Sequence, residues 1–321
     1  MGIFGRLDWR KSRAHLLLLS KFLNPRTVED FSQPDDWRAV LREKPQKAIE
    51  RLLTDGMLID AGLAGRLAYR FNVTDLKVKL KSKGLPVSGR KEALIERLIK
   101  ADFKGMEREV QGLRVLQCTE VGDKVAQRYL ADEKAEREAF ERQVLEYLRQ
   151  REFKEASSSM AAFEAKRVFP RGMGIDWSNY DTDRDVAILR MIFQDKPKIL
   201  ARLSNEQIDR LRFGAAMMHL WGSSSVNKWM PSDVDTGLSM DDDSAARMVC
   251  FSALHRTQMA EYREMGVKSV RILGCNDDVM CEACRKLQGK KLRLNDVPDL
   301  PYEKCTSDLG CRCSAVADFD F

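Results

Sequence analysis

The stretch NVTDLKVKLKSKGLPVSGRKEALIERLIK, residues 72–100, constrains this chain more than any other. Leu76 and Leu80, with Val73, fall on one helical stripe, and Leu94, Ile95, Leu98 and Ile99 fall on a second. Between the stripes, Gly84, Pro86, Ser88 and Gly89 stop one helix and redirect the chain into the next. Asn72 or Thr74 can cap the first helix, and Glu92 suits the early turn of the second. Two short helices packed on each other are expected. Over the same residues eight cations (Lys77, Lys79, Lys81, Lys83, Arg90, Lys91, Arg97 and Lys100) stand against three anions, Asp75, Glu92 and Glu96. The whole chain carries a formal net charge of only +6, so most of the excess is concentrated here, as in a local polyanion site. Lys77, Lys79, Lys81 and Lys83 cannot share one helix face, but with Arg90 and Lys91 they surround one end of the hairpin.

The segments DLKVKLKSKGL, PVSGRK and ALIERL resemble the SAP domain, a small helix-loop-helix module that binds DNA. The resemblance covers residues 66–102. It implies that Ser88, Gly89, Arg90 and Lys91 meet the DNA backbone, with the lysines of the first helix assisting. Phosphate contacts position a protein without reading bases, so binding to double-stranded DNA should be weakly specific and steeply dependent on salt.

The remainder reads as mainly α, a multi-domain helical protein. The expected division is a helical unit at 1–65, the basic hairpin at 66–104, a linking strand and long helices at 105–169, a helical domain at 170–266 and a cysteine-rich module at 267–321. AIERLLTDGMLIDAG and LQCTEVGDKVAQRYL resemble the flanks of a winged-helix domain with the basic hairpin inserted, and Thr119 is placed to cap the helix that follows. Residues 131–169, rich in Glu, Lys, Arg and Ala, read as one long helix or a pair broken near Ser157–Ser159. PSDVDTGLSMDDDS, residues 231–244, reads as a solvated acidic loop, and Asp241, Asp242 and Asp243 lack the pattern of a calcium loop. The apolar run AHLLLLSKFL is too short to span a bilayer and has no small-residue cleavage site, so a soluble, cytoplasmic chain is expected, nucleoid-associated if bacterial.

Six of the eight cysteines crowd into residues 275–313, which favours a metal over a disulfide framework. Cys281 and Cys284 form a C-x-x-C pair able to share one tetrahedral ion, and Cys305 with Cys311 supplies the second pair, as in a zinc ribbon or knuckle. Cys313 is the alternative fourth ligand, because an extended C-R-C would send its two thiols in opposite directions. Cys275, after the strand-like SVRIL, reads as a small buried residue. Iron–sulfur ligation lacks a matching spacing, and a thioredoxin-like pair lacks its strand-helix setting. The run from HRTQMAEYREMG through C-E-A-C to C-R-C also resembles the C-terminal part of phage head-morphogenesis (Mu F-like) minor head proteins, with Cys305 where that family usually has a histidine.

No Walker loop, dinucleotide fingerprint or zinc-protease helix is present, and Glu164-Ala165-Lys166 lacks an upstream carboxylate of the kind a nuclease needs. His15, His219 and His255 stand apart in helical contexts and read as structural. The expected protein is a DNA-binding accessory or scaffold whose C-terminal zinc module supports folding or docks a protein partner. The alternatives are a phage-head structural protein and a DNA-targeted nuclease or defence component.

Overall fold

Apolar residues at helical spacing in the N-terminal stretch close into a three-helix core. Helices α1 (Arg13–Lys21), α2 (Asp35–Leu41) and α3 (Pro45–Thr54) turn Leu18, Leu19, Trp37, Leu41, Ile49 and Leu52 inward. Each such burial stabilises by about 1.5–3 kcal/mol. Pro45 opens α3, where its missing N–H and fixed φ are harmless. The computed structural model describes residues 8–32, 35–172, 174–222, 229 and 239–318, and divides into two compact units, Met1–Arg137 and Glu138–Phe321. Residues 231–238 of the acidic stretch lie outside the described residues.

After α3 the chain enters β1 (Leu58–Asp60) and then four helices: α4 (Leu63–Arg70), α5 (Val73–Ser82), α6 (Lys91–Ala101) and α7 (Phe103–Glu109). Only then does β2 (Leu116–Cys118) return to pair antiparallel with β1, Leu58 opposite Cys118. The basic hairpin is therefore an insertion between two paired strands. It has its own apolar core, in which Leu67, Leu76, Leu80, Leu94, Leu98 and Met106 are buried. Thr119 Oγ1 accepts the Gly122 amide at 3.0 Å and starts α8 (Glu120–Arg149).

In the second unit, α9 (Phe153–Ala165), α10 (Asp183–Gln194), α11 (Asn205–Trp221) and α12 (Asp242–Glu264) build the largest core. The break between α8 and α9 is not at Ser157–Ser159. It falls at Arg151, whose φ of +61° ends α8 while its guanidinium stacks 4.0 Å from the Phe193 ring centre. The serines lie inside α9, where Ser157 is fully buried, so the small side chain serves close packing rather than a break. Asp241 caps α12 by accepting the Ser244 amide at 2.7 Å, and Asp242 and Asp243 sit in its first turn, where the helix dipole favours carboxylates.

The C-terminal residues form an antiparallel sheet in the order β4-β3-β5, with β3 (Ser269–Leu273), α13 (Glu282–Leu287), β4 (Lys291–Arg293) and β5 (Ser314–Ala317) following in the chain. Cys284, Cys311 and Cys313 share one core with Met248 of α12, so the cysteine-rich residues are continuous with the helices before them. The Cys311 amide meets Met248 Sδ at 3.2 Å. Among the described residues no helix is long and apolar enough to cross a membrane.

Glu164 is buried and accepts from Arg171 Nε at 2.8 Å and from the Arg171 amide at 3.0 Å. It holds the loop at Arg171 to α9. The histidines are likewise engaged: His15 with Ser12 and Glu43, His219 with Asp185, and His255 with the Pro298 carbonyl.

Candidate nucleic-acid interface and thiol centre

The hairpin is pinned at each corner. Asn72 accepts the Asp75 amide at 2.9 Å while the Asp75 carboxylate accepts the Asn72 amide at 3.0 Å, a reciprocal cap that starts α5. Gly84, at φ +65°, ends it, and the Leu85 amide closes onto the Leu80 carbonyl at 2.9 Å. Gly89 turns the loop at φ +122°, a conformation that any side chain would strain. Arg97 reaches back from α6 to donate to the carbonyls of Pro86 at 2.5 Å and Ser88 at 3.2 Å. The Pro-Val-Ser-Gly loop is thereby braced before any ligand arrives.

The structure divides the eight candidate contact residues into two groups. Lys79 pairs with Glu109 at 2.6 Å and lies 4.6 Å from the Phe71 ring centre, and Lys83 pairs with Asp102 at 2.6 Å. Lys91 donates to the Ala68 carbonyl at 2.5 Å, satisfying an acceptor in the last turn of α4. These three tie the inserted helices together. Lys77, Lys81 and Arg90 are exposed and make no side-chain ion pair or hydrogen bond among the described residues, and Ser88 and Gly89 are exposed beside Arg90. Arg90 is also the N-cap of α6 but gives no side-chain cap, so the first amides of that helix remain unsatisfied next to the loop. Free amides at the positive end of a helix dipole attract anions, and Arg90 stands next to them without a side-chain partner among the described residues.

Residues 70–103 match the family model of the SAP domain. That SAP domain is a DNA-binding module, and it occupies the insertion between β1 and β2. Neither the curated proteins nor the solved structures compared with the chain gave a match. The Arg97 brace, the capping box and the Lys91 contact with Ala68 are supporting features that spacing alone did not single out. The charge of Lys79, Lys83 and Lys91 was legible in the sequence, but the partners that occupy them lie up to 30 residues away.

The second constellation is the thiol centre. All eight cysteines are free. Cys281 precedes α13 as its N-cap and Cys284 lies in its first turn, while Cys305, Cys311 and Cys313 approach from the loops before β5. The sulfurs of Cys281, Cys284 and Cys305 lie within 4.8 Å of one another, and so do those of Cys284, Cys311 and Cys313. Cys284 belongs to both groups. Cys281 and Cys305 stand 3.7 Å apart at sulfur, and Cys284 and Cys311 3.9 Å apart. A Zn–S bond of about 2.3 Å sets the edge of a regular ZnS4 tetrahedron at about 3.8 Å, so the observed spacings fit such an ion. The cluster lines a cavity of about 10 Å³, the room of a single small occupant. These cysteines could hold a metal ion.

Two expectations about the cysteines need correction. Cys311 and Cys313 do not point apart, because strand β5 begins only at Ser314 and Gly310, at φ +71°, turns the chain before C-R-C, so both thiols reach Cys284. Cys275 is exposed rather than buried. Gly274 lies so close beneath the site that an added Cβ would stand 2.5 Å from Met280 Cε, and Cys275, although exposed and in neither sulfur group, lines the same small cavity. Nearby cations serve carboxylates: Arg312 forks onto Asp277 at 2.7 Å through both nitrogens, and Lys291 pairs with Asp318 at 3.2 Å.

The clustered thiols do not share protons equally. Hydrogen bonds from Cys305 and Cys313 hold the Cys311 thiol far below its ordinary range, and the same bonds together with burial push Cys305 and Cys313 up. Burial raises Cys284 to about 12. At Cys281 burial works in the same upward direction, but the Thr306 and Cys284 amides outweigh it and bring the thiol to about 7. Two thiols, Cys311 and Cys281, are thus lowered while Cys284, Cys305 and Cys313 hold their protons, and a dication is what would allow those protons to leave.

Proposed function

We propose that the protein is a DNA-binding accessory or scaffolding protein whose SAP domain holds the backbone of double-stranded DNA with little sequence preference. The observation that carries this reading is that Lys77, Lys81 and Arg90 are exposed and unpaired among the described residues, with Arg90 at the uncapped N-terminus of α6. Ser88 and Gly89 present the braced loop to a phosphate, while Lys79, Lys83 and Lys91 keep α5, α6 and α7 in place and contribute field rather than direct contact. The protein would work in solution alongside DNA, in the cytoplasm and on the nucleoid in a bacterial cell. Titration of a fluorescent random-sequence duplex over a range of salt concentrations tests it. Replacing Lys77, Lys81 and Arg90 together by alanine should lower the salt slope by about 0.9 for each phosphate no longer neutralised, and an unchanged slope would remove this face from consideration.

The thiol centre reads as a structural zinc site held by Cys281, Cys284, Cys305 and Cys311, with Cys313 as the competing fourth ligand. Zinc bound by four thiolates has no open position for water, so it would contribute to folding and not to catalysis. A second reading, a structural role in a phage head, is favoured by one observation: α12, β3, α13 and the C-R-C segment, the run that resembles Mu F-like minor head proteins, converge on the thiol centre as one body. Sedimentation of the protein with assembled heads, against its recovery as free protein bound to DNA, separates the two readings. The exposed surface of the same C-terminal residues would then be the place where a protein partner docks.

A further inference from the structure

The first unit carries a groove that neither the DNA reading nor the thiol centre uses. Two of its walls are α4 and α6, and the third is the turn from Leu23 to Arg26 that follows α1. Together they enclose about 590 Å³, within the range of about 300–1,000 Å³ that ligand clefts usually offer. The α4 wall is smooth, since Ala64, Gly65 and Ala68 are what it turns to the groove. Gly65 has no room to be larger: an added Cβ would stand 2.7 Å from Ala61 Cβ and 2.8 Å from Gln117 Oε1. Opposite, Leu23, Pro25 and Ile99 are only partly covered, so apolar surface is left open on both sides.

The charged groups of the groove decide what it can hold. Lys91 is engaged by the Ala68 carbonyl at 2.5 Å, and Arg26 lies 4.0 Å from Asp30, which also accepts the Tyr69 hydroxyl at 2.8 Å. Glu92 and Glu96, by contrast, are exposed and make no side-chain ion pair or hydrogen bond among the described residues. They stand one turn apart on α6, on the same face as Ile95 and Ile99. The charge left without a partner is therefore negative, although the SAP domain as a whole is basic. Two uncompensated carboxylates repel phosphate, so the groove does not extend the DNA surface. We infer that it docks a basic amphipathic helix of a protein partner, with apolar side chains entering between α4 and α6. Lys or Arg residues of that helix, one turn apart, pair with Glu92 and Glu96. Apolar burial between two helices supplies the affinity, and the carboxylates set which partner fits. The inference does not rest on the DNA reading, and it places a partner on the first unit rather than on the C-terminal residues.

The test selects binders to the full chain from a displayed library of helical peptides of about 15 residues, randomised along one face, and measures the recovered peptides by fluorescence anisotropy. They should carry Lys or Arg one turn apart beside an apolar stripe. Ala64 is exposed on the groove side of α4, so Ala64→Trp fills the groove from the surface and should abolish peptide binding. Glu92→Lys/Glu96→Lys should weaken it about tenfold, the effect of two exposed charge pairs, and remove most of its salt dependence. All the substituted side chains are exposed, so both variants should melt near the parental temperature. Duplex binding is measured in parallel, and Ala64→Trp should retain it, since Ala64 lies outside residues 70–103. Peptides that bind the Ala64→Trp variant as well as the parent, or that are acidic or uncharged and indifferent to the charge reversal, overturn the proposal, as does a library that yields no groove-dependent binder. A dimer of the full chain that Ala64→Trp dissociates would assign the groove to a second copy and overturn it equally. In each of these cases retained duplex binding leaves the SAP reading standing.

Discussion

Lys83 Nζ lies 2.6 Å from Asp102 Oδ2, and the same carboxylate accepts the Gly105 amide at 2.8 Å. One aspartate therefore joins the C-terminal end of α5 to the cap of α7. A lysine that any count of charge would assign to the ligand is occupied within the fold. Exposed lysines that lack such a partner among the described residues, Lys77 and Lys81, keep their charge available at the surface.

This division predicts unequal effects for neighbouring lysines. Lys81→Ala should lower the salt slope of duplex binding by about 0.9, the full value of one phosphate contact. Lys83→Ala should leave the slope near its parental value and weaken the fold instead. Equal decreases of slope from the two substitutions would show that the Lys83 ion pair opens when DNA binds.

The same carboxylate gives a pH dependence of definite sign. The Lys83 ammonium and then the Gly105 amide hold Asp102 below the usual carboxylate range. A group with a depressed folded pKa stabilises the fold above its unfolded pKa, about 3.9, and loses that contribution as pH falls through the folded value. Asp102→Asn should therefore be less stable than the parent at neutral pH, with the gap closing below about pH 4. Urea midpoints measured from pH 7 to pH 2 check this, and a gap that widens with acid would contradict it.

The SAP core should stand on apolar packing. Leu80 and Leu98 are both 0% exposed, so Leu80→Ala and Leu98→Ala should each cost about 2–5 kcal/mol. Val78, on the same helix as Leu80 but 64% exposed, is the control, and Val78→Ala should change stability by less than about 0.5 kcal/mol. Urea unfolding of the full chain followed by circular dichroism measures all three.

What the sequence made legible was local. The apolar stripes of α5 and α6, the Gly84 stop and the SVRIL strand follow from periodicity and turn chemistry within a dozen residues, and each forms as expected except that Val73, at the first position of α5, is 40% exposed and outside the stripe. The end of α8 at Arg151 did not show, because a left-handed arginine carries no sequence signal and is held by stacking on Phe193, far along the chain. The C-x-x-C pair was legible from spacing, whereas the approach of both Cys311 and Cys313 to Cys284 depends on a turn at Gly310 that only the packed loop defines. The partners of Lys79, Lys83 and Lys91 were illegible for the same reason: each is fixed by how helices pack, not by neighbours in sequence.

The thiol centre yields the last prediction, which turns on its having five sulfurs for four places. One zinc per chain is expected, measured by metal analysis of the purified protein. Cys284 belongs to both thiol groups, so Cys284→Ser should abolish binding, and Cys281→Ser should do the same because it breaks the C-x-x-C pair. Cys275→Ser should retain the full metal content, since that residue is exposed and outside both groups. Cys311→Ser and Cys313→Ser discriminate between the two candidates for the fourth place: loss of zinc in only one of them identifies the ligand, and retention in both means that each thiol can replace the other. The effect should extend beyond the cysteine-rich residues, because Cys284, Cys311 and Cys313 share a core with Met248 of α12. Removal of the metal by a chelator should therefore loosen the α9–α12 helices as well, seen as a lower melting temperature and faster proteolysis within residues 138–318. Binding should weaken as pH falls, since protons compete with the ion for thiolates. Full zinc in both Cys281→Ser and Cys284→Ser would sink the site as drawn, and a chelated protein with an unchanged melting temperature would show that the ion is dispensable to the fold.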